Sequence, residues 1–415
     1  MSEARLRSNY NALTRGLSHP EVKPTVRYCA KTNNEPGVLA IMASLGSQVV
    51  VSHPVEAQLA VHCGFVPEKI AYQRPLLLED EVRAVVGAGV SLVHVYRLQD
   101  IPVIEKAASE CGRRLKLSLR LRNNSLGARS FPLNFLTRRL GLTESDILSA
   151  AKRIRDSEWL SLAAINFHGG TQKESVRIYR ALLRRVTRLG VRLQAQMGVA
   201  LEEINIGGGI PSPSLRRIGA RSLWMRIKDD LAYSYASETL EEFARMLSAE
   251  FRNEANEAGL RPLPALVVEP GRAIVGNAAI LVTRVRAVQG KWAFLDASSN
   301  YLGESPLLFA RQVLPINQPG DGEERYYHLS GSTLNTTDIV DVRRRLPTLA
   351  VGDVLALCDA GAYSISRASR YAGLSPAVYL LQGDGSLRMI RRAETFADLT
   401  SHTVRDEDGE GAGDG

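Results

Sequence analysis

Four short stretches carry residue types that do chemistry when they converge: Lys31 in "YCAKTN", "HGGTQ" (168–172), "GGG" (207–209) and "EPGR" (269–272). Each has an ordinary structural explanation by itself, because a lysine can flank a strand, a histidine can sit satisfied in a core, and glycines can make a tight turn. Together they describe one ligand. A lysine in a dry cleft can have a lowered pKa and condense with an aldehyde. Gly207, Gly208 and Gly209 let backbone N–H groups approach a phosphate, and Gly170 and Thr171 could add donors. A carboxylate such as Glu269 can hold a proton on a pyridine nitrogen. Aldehyde, phosphate and pyridine nitrogen coexist in pyridoxal 5′-phosphate.

The elements that would position these groups recur at a regular beat. Candidate strands are "TVRYCA" (25–30), "SQVVVS" (47–52), "KIAYQ" (69–73), "SLVHVY" (91–96), "LKLSLRL" (115–121), "SLAAINFH" (161–168), "EINIGG" (203–208) and "ALVVEP" (265–270). Amphipathic segments lie between them. One is "TLEEFARMLSAEF" (239–251), where Leu240, Phe243, Leu247 and Phe251 recur at helical spacing and Thr239 with Glu242 forms a capping box. Strands alternating with helices predict parallel βαβ units, and eight of them are the repeat number of a TIM barrel, with a doubly wound open sheet as the alternative. All four stretches follow strands, at the barrel end where such folds gather their chemistry. After residue 275 the pattern turns β-rich. The expected organisation is therefore a barrel over 23–275, an all-β domain over 276–403 that residues 1–22 join, and a disordered acidic tail over 404–415.

Composition narrows the partners. The 415 residues are 45% hydrophobic and 23% charged, an ordinary globular balance. The net charge of +8 is scattered among acids without a nucleic-acid motif, so no nucleic-acid partner is expected, although the basic segment 214–228 could attract an acidic one. The four cysteines show neither disulfide nor metal-ligand spacing, so no metal site is expected. There is no signal-peptide pattern and no apolar run near the ~18 residues of a membrane span, which together with the free cysteines points to a cytoplasmic protein without a membrane partner.

The same stretches resemble the fold-type III pyridoxal-phosphate decarboxylases, which include the ornithine and diaminopimelate decarboxylases. "YCAKTN" looks like the family's "YAvKaN", "HGGTQ" like "HxGSQ", "INIGGGIP" like "lnlGGGfg", "EPGR" is identical, and "DAGAYSISRASRY" (359–371) looks like "DaGAYgfsmaS.Y". The resemblance implies a barrel of the alanine-racemase type with a C-terminal all-β domain. Lys31 would bind the cofactor covalently and His168 would stack on its ring. Gly207 to Gly209, Gly271 and Arg272 would hold the phosphate region, Glu269 would pair with the ring nitrogen, and Tyr363 would add a phosphate contact. A homodimer with sites shared between subunits is also implied.

Departures from the family pattern bear on the substrate. The family's "GPxCESxD" loop is similar in placement to "GSTLNTTD" (331–338), with Leu334 at the cysteine position, Asn335 at the glutamate position and Asp338 at the final acid, so these three are the expected substrate contacts. Where diaminopimelate decarboxylases have "RPxLY", this chain has Ser305 and Phe309 at the ends of "SPLLF", and Val50 replaces an acidic residue after the second strand. These changes lead to the expectation of a decarboxylase acting on an amino acid or amino-acid-derived intermediate other than diaminopimelate, in specialised biosynthesis. Racemisation or epimerisation on the same fold, or a regulatory homologue without activity, are the alternatives. A glutamate at position 269 favours decarboxylation, because it keeps the pyridine protonated.

Overall fold

The computed structural model describes residues 1–123, 140–217, 239–303, 309–317 and 323–403. Eight parallel strands close into a barrel: β1 (Pro24–Cys29), β2 (Gln48–Val51), β3 (Ile70–Gln73), β4 (Leu92–Val95), β5 (Leu115–Arg120), β6 (Leu160–Asn166), β7 (Glu203–Asn205) and β8 (Ala265–Val268). Closure comes from β1 pairing with β8 in the register Thr25 to Val267 and Val26 to Val268. Each falls on one of the runs singled out by its apolar, β-branched composition, so the barrel expected from the eightfold beat is the observed fold.

Strand alternation divides each strand between two environments. Along β1, Val26 and Tyr28 join the large apolar core shared with the surrounding helices. Arg27 instead donates to Gln48 Oε1 of β2 at 2.8 Å and to Glu203 of β7 at 3.1 Å, and Cys29 packs with Val50, Ala71 and Leu92. Val50 thus fills an apolar layer inside the barrel. The interior therefore carries polar side chains among apolar runs, and the residues of the site stand in that column.

The first 22 residues differ from expectation. They form helix α1 (Glu3–Leu17), capped by Ser2, whose hydroxyl accepts from Arg5 N. Leu6, Tyr10, Leu13 and Leu17 recur at helical spacing and are buried in the barrel core rather than in the β domain. Gly16 makes this docking possible, since a Cβ there would collide with the backbone carbonyl of Glu241. Only the extreme N-terminus reaches the β region, where Met1 O accepts from Leu381 N at 2.7 Å.

Beyond the barrel, a six-stranded sheet runs from Leu281 to Leu357 and builds a second core around Val285, Leu295, Leu329, Val340 and Leu355. A hairpin of Val378–Leu381 and Leu387–Arg391 follows. The tail 404–415 and most of the basic segment 214–228 lie outside the described residues.

Candidate active site

Lys31 sits in the short turn Ala30–Thr32 at the end of β1 and is exposed at the barrel mouth. The turn is fixed by its neighbour Asn33, which is fully buried. Asn33 accepts from Glu35 N at 3.1 Å and donates from Nδ2 to Gly361 O at 2.9 Å, while its backbone carbonyl accepts from Tyr28 OH at 2.7 Å. Tyr363 N donates to Thr32 O at 2.7 Å, so the loop carrying Gly361 and Tyr363 is stitched to the lysine turn. The expected lowering of the Lys31 pKa is not what its surroundings produce. The negative form of Cys29 raises it most, and Tyr363, Tyr96 and Glu269 raise it further. Burial pulls it down without prevailing.

Glu269 lies at the end of β8, nearly inaccessible. Burial alone would raise its pKa, but His94 in its protonated form, Arg27, the hydrogen bond from Asn205 and Arg120 outweigh that and leave it below the usual carboxylate range. Asn205 Nδ2 donates to Oε1 at 2.8 Å, and His94 Nε2 lies 3.4 Å from the same oxygen. Oε2 receives no donor among the described residues. A buried, ionised carboxylate with one oxygen held and the other open fits a protonated ring nitrogen.

His168 follows β6, with its ring beside the glycine loop, and burial pushes its pKa down to about 3, so it is neutral at pH 7. The three glycines are required by space. A Cβ on Gly207, Gly208 or Gly209 would collide with the carbonyl oxygens of Phe167, Glu269 or Gly170 respectively. One expectation changes here: Gly207 N donates to Asn205 Oδ1 at 2.8 Å and is not available to a phosphate, because Asn205 already fills that amide's direction. Among the described residues the amides of Gly208 and Gly209 donate to no protein acceptor. The Tyr179 hydroxyl beside Gly209 is buried without a hydrogen-bond partner among the described residues. These donors fit the phosphate of pyridoxal phosphate. Gly170, at φ +118°, flanks the loop, whereas Thr171 is exposed. Gln172 holds the two loops together by donating to Ser212 O at 2.7 Å and accepting from Ser212 N at 3.1 Å.

Gly271 packs against Thr32, and Arg272 is buried with its guanidinium 5.1 Å from the Phe309 ring and 5.2 Å from the Tyr363 ring. Phe309 thus meets a cation with its π face. The loop 331–338 is arranged differently from a pocket wall. Leu334 is 103% exposed, and Asn335 is spent on a turn, accepting from Thr337 N at 3.0 Å. Asp338, expected to contact substrate, is buried and accepts from Ser298, Ser299 and Thr333, so it folds the loop instead. Ser305 lies outside the described residues. His94, Asn166, Asn205, Gln172 and Asn33 were not singled out from the sequence. Asn33, Gln172 and Asn205 stand inside the quoted motifs but were given no role there, while the signal for His94 and Asn166 was a polar residue in an apolar strand.

The geometry agrees with what the chain is similar to. Residues 3–276 match the family model for the pyridoxal-dependent decarboxylase, pyridoxal binding domain. The diaminopimelate decarboxylase of Methanothermobacter thermautotrophicus is 27% identical over 410 residues, spanning 96% of this chain and 89% of that protein. The one from Pseudomonas aeruginosa is 27% identical over 408 residues, spanning 96% and 89%. Among solved structures, diaminopimelate decarboxylase from M. jannaschii in complex with L-lysine superposes with a TM-score of 0.83 at 22% identity, covering 98% of this chain and 92% of that one. These relatives overturn the expectation of a substrate other than diaminopimelate. That expectation rested on two short loops, whereas the similarity to proteins of that name runs through nearly the whole chain. The exposed Leu334 also takes no part in its own chain's pocket, so the missing thiol says little about it. With the lysine, the carboxylate and the glycine loop assembled at one barrel mouth, the chain belongs to the pyridoxal-dependent decarboxylase family.

Proposed function

We propose that this chain removes one carboxyl group from diaminopimelate as CO2, leaving lysine. The observation that carries the reading is the ionised Glu269 with Oε1 held by Asn205 and Oε2 open, in the barrel that presents Lys31 at its mouth. When bound, pyridoxal phosphate supplies the electron sink that accepts the bonding pair of the departing carboxyl group. Glu269 would hold the ring-nitrogen proton on which that sink depends. His168, neutral, offers a flat uncharged face beside the glycine loop. Gly208, Gly209 and Tyr179 would supply donors for the phosphate, and Arg272, over the rings of Phe309 and Tyr363, would add positive charge. Lys31 would hold the cofactor through its aldehyde, and because its surroundings favour the ammonium form it would first have to give up a proton at the open mouth.

The working unit in this reading is a cytoplasmic homodimer. The loop folded by Asp338 presents a bare, fully exposed Leu334, which suits burial in a second copy's barrel mouth. The test is direct. The protein is loaded with pyridoxal phosphate, reduced with borohydride and digested, and a second sample is given diaminopimelate. The cofactor is expected on the peptide containing Lys31, with lysine and CO2 released in equal amounts. A modified peptide lacking Lys31, or CO2 released from ornithine or lysine but not from diaminopimelate, refutes the corresponding half.

A further inference from the structure

The buried histidine of β4 has no role in the chemistry above, yet it occupies the centre of the site's polar column. His94 is fully buried. Its Nδ1 lies 2.7 Å from Asn166 Nδ2 on β6, and its Nε2 lies 3.4 Å from Glu269 Oε1 on β8. Three strands thus place an amide, an imidazole and a carboxylate in sequence across the barrel. We infer that His94 is a positioning residue for Glu269: Asn166 faces its Nδ1, its Nε2–H faces Oε1, and Oε2 is thereby reserved for the ring nitrogen of the cofactor.

The chemistry of the three groups selects this arrangement. The ionised Glu269 Oε1 beside Nε2 favours a proton on that nitrogen, and Asn166 Nδ2, which can only donate, faces Nδ1 as this tautomer requires. The opposite tautomer would set a nitrogen lone pair against an ionised oxygen, which is repulsive. At 3.4 Å the contact is electrostatic and not a formed hydrogen bond, and His94 Nε2 is buried with no hydrogen-bond partner among the described residues, so Glu269 Oε1 is its nearest acceptor and nothing competes for the proton it carries. Asn205 approaches the same oxygen from β7 at 2.8 Å. Asn205 thus holds Oε1 by a hydrogen bond while the neutral imidazole stands 3.4 Å from the same oxygen, and a rotated carboxylate would give up both contacts.

Neutrality is part of the device. The groups facing His94 are Glu269, Arg27, Arg120 and Asn166, and burial together with the two arginines keeps the ring uncharged, with a pKa of about 4. A charged imidazolium would form an ion pair with Glu269 and compete with the ring-nitrogen proton for its negative charge. A neutral donor orients the carboxylate while leaving that charge in place.

This inference rests on the cofactor assignment, and the experiment separates the two. Nitrogen-15 NMR of histidine-labelled protein, before and after loading with pyridoxal phosphate, reads the tautomer, with the His94 signal assigned by its loss in His94→Gln. The Nε2–H tautomer is expected in both states. An Nδ1–H tautomer or an imidazolium at pH 7 overturns the inference. Cofactor affinity and the pH dependence of the bound-cofactor absorbance are then compared in His94→Gln, which keeps an amide N–H near the Nε2 position, and His94→Leu, which keeps volume only. Loss of this polar contact to the carboxylate predicts that His94→Leu binds pyridoxal phosphate up to about tenfold more weakly, and that its absorbance titrates at lower pH. His94→Gln should stay close to the unmodified protein. Equal loss in both variants overturns the positioning role. If His94→Leu does not fold, the tautomer decides alone, and failure of the unmodified protein to take up pyridoxal phosphate refutes the cofactor assignment instead.

Discussion

Replacing Gly209 by alanine tests the phosphate cradle. Gly209 adopts φ +91°, which costs an L-residue on the order of 1–2 kcal/mol, and its added Cβ would meet the Gly170 carbonyl. Backbone cannot yield as a flexible side chain can, so the loop has to move. The movement also reaches Lys173, whose amide donates to Gly209 O at 2.9 Å. A displaced loop misaims the Gly208 and Gly209 amides. Each hydrogen bond to a charged group contributes about 1.5–3 kcal/mol, so losing one weakens pyridoxal phosphate by roughly tenfold to a hundredfold. Pyridoxal, which has the same ring and aldehyde without the phosphate, should lose little. Fluorescence titration of both ligands into the unmodified and Gly209→Ala proteins measures the difference, with thermal unfolding as a control for the fold. If pyridoxal and pyridoxal phosphate weaken equally, or neither changes, the loop does not bind the phosphate.

Two further outcomes follow. His94 and His168 have folded pKa values of about 4 and about 3, below the ordinary 6.5, so at pH 5 the unfolded chain binds protons that the folded chain does not. Stability should therefore be fully present above pH 6.5 and fall on acidification, by up to about 1.4 kcal/mol per pH unit for each histidine as pH drops toward 4. Urea midpoints between pH 7 and 5 measure this, and a flat profile refutes it. Leu334→Asp, at a fully exposed position, should change folding stability by no more than about 0.5 kcal/mol while shifting the sedimenting species from dimer toward monomer. An unchanged dimer with full activity would mean that the loop faces solvent.

The eight barrel strands were legible because their signal is local. An apolar, β-branched run of four to seven residues between turn residues needs no knowledge of its neighbours. The motifs at the strand ends were legible for a related reason, since the barrel topology puts every strand's C-terminal end on one rim. Lys31, His168, the glycine loop and Glu269 could therefore be gathered before the structure was seen. Residues 1–22 were assigned to the β region although Leu6, Tyr10, Leu13 and Leu17 carry helical spacing, because that spacing does not name the surface on which a helix docks.

Partnership across the barrel could be decided only by the tertiary structure. His94, Asn166 and Asn205 are single polar residues in apolar strands, and their sequence separations from Glu269 say nothing about distance. Barrel closure and strand stagger bring His94 to 3.4 Å and Asn205 to 2.8 Å from one oxygen. The same holds for Lys31: its position came from sequence, but the sign of its pKa shift came from Cys29, Tyr363 and Tyr96 around it. Leu334 and Asp338 stand four residues apart in one motif, yet one is bare to solvent and the other is buried beneath it. Sequence thus determined which groups line the strand ends, because periodicity is written in neighbouring residues. Which groups share a proton, a charge or a hydrogen bond is a matter of distances between residues far apart in the chain, and only the folded barrel sets them.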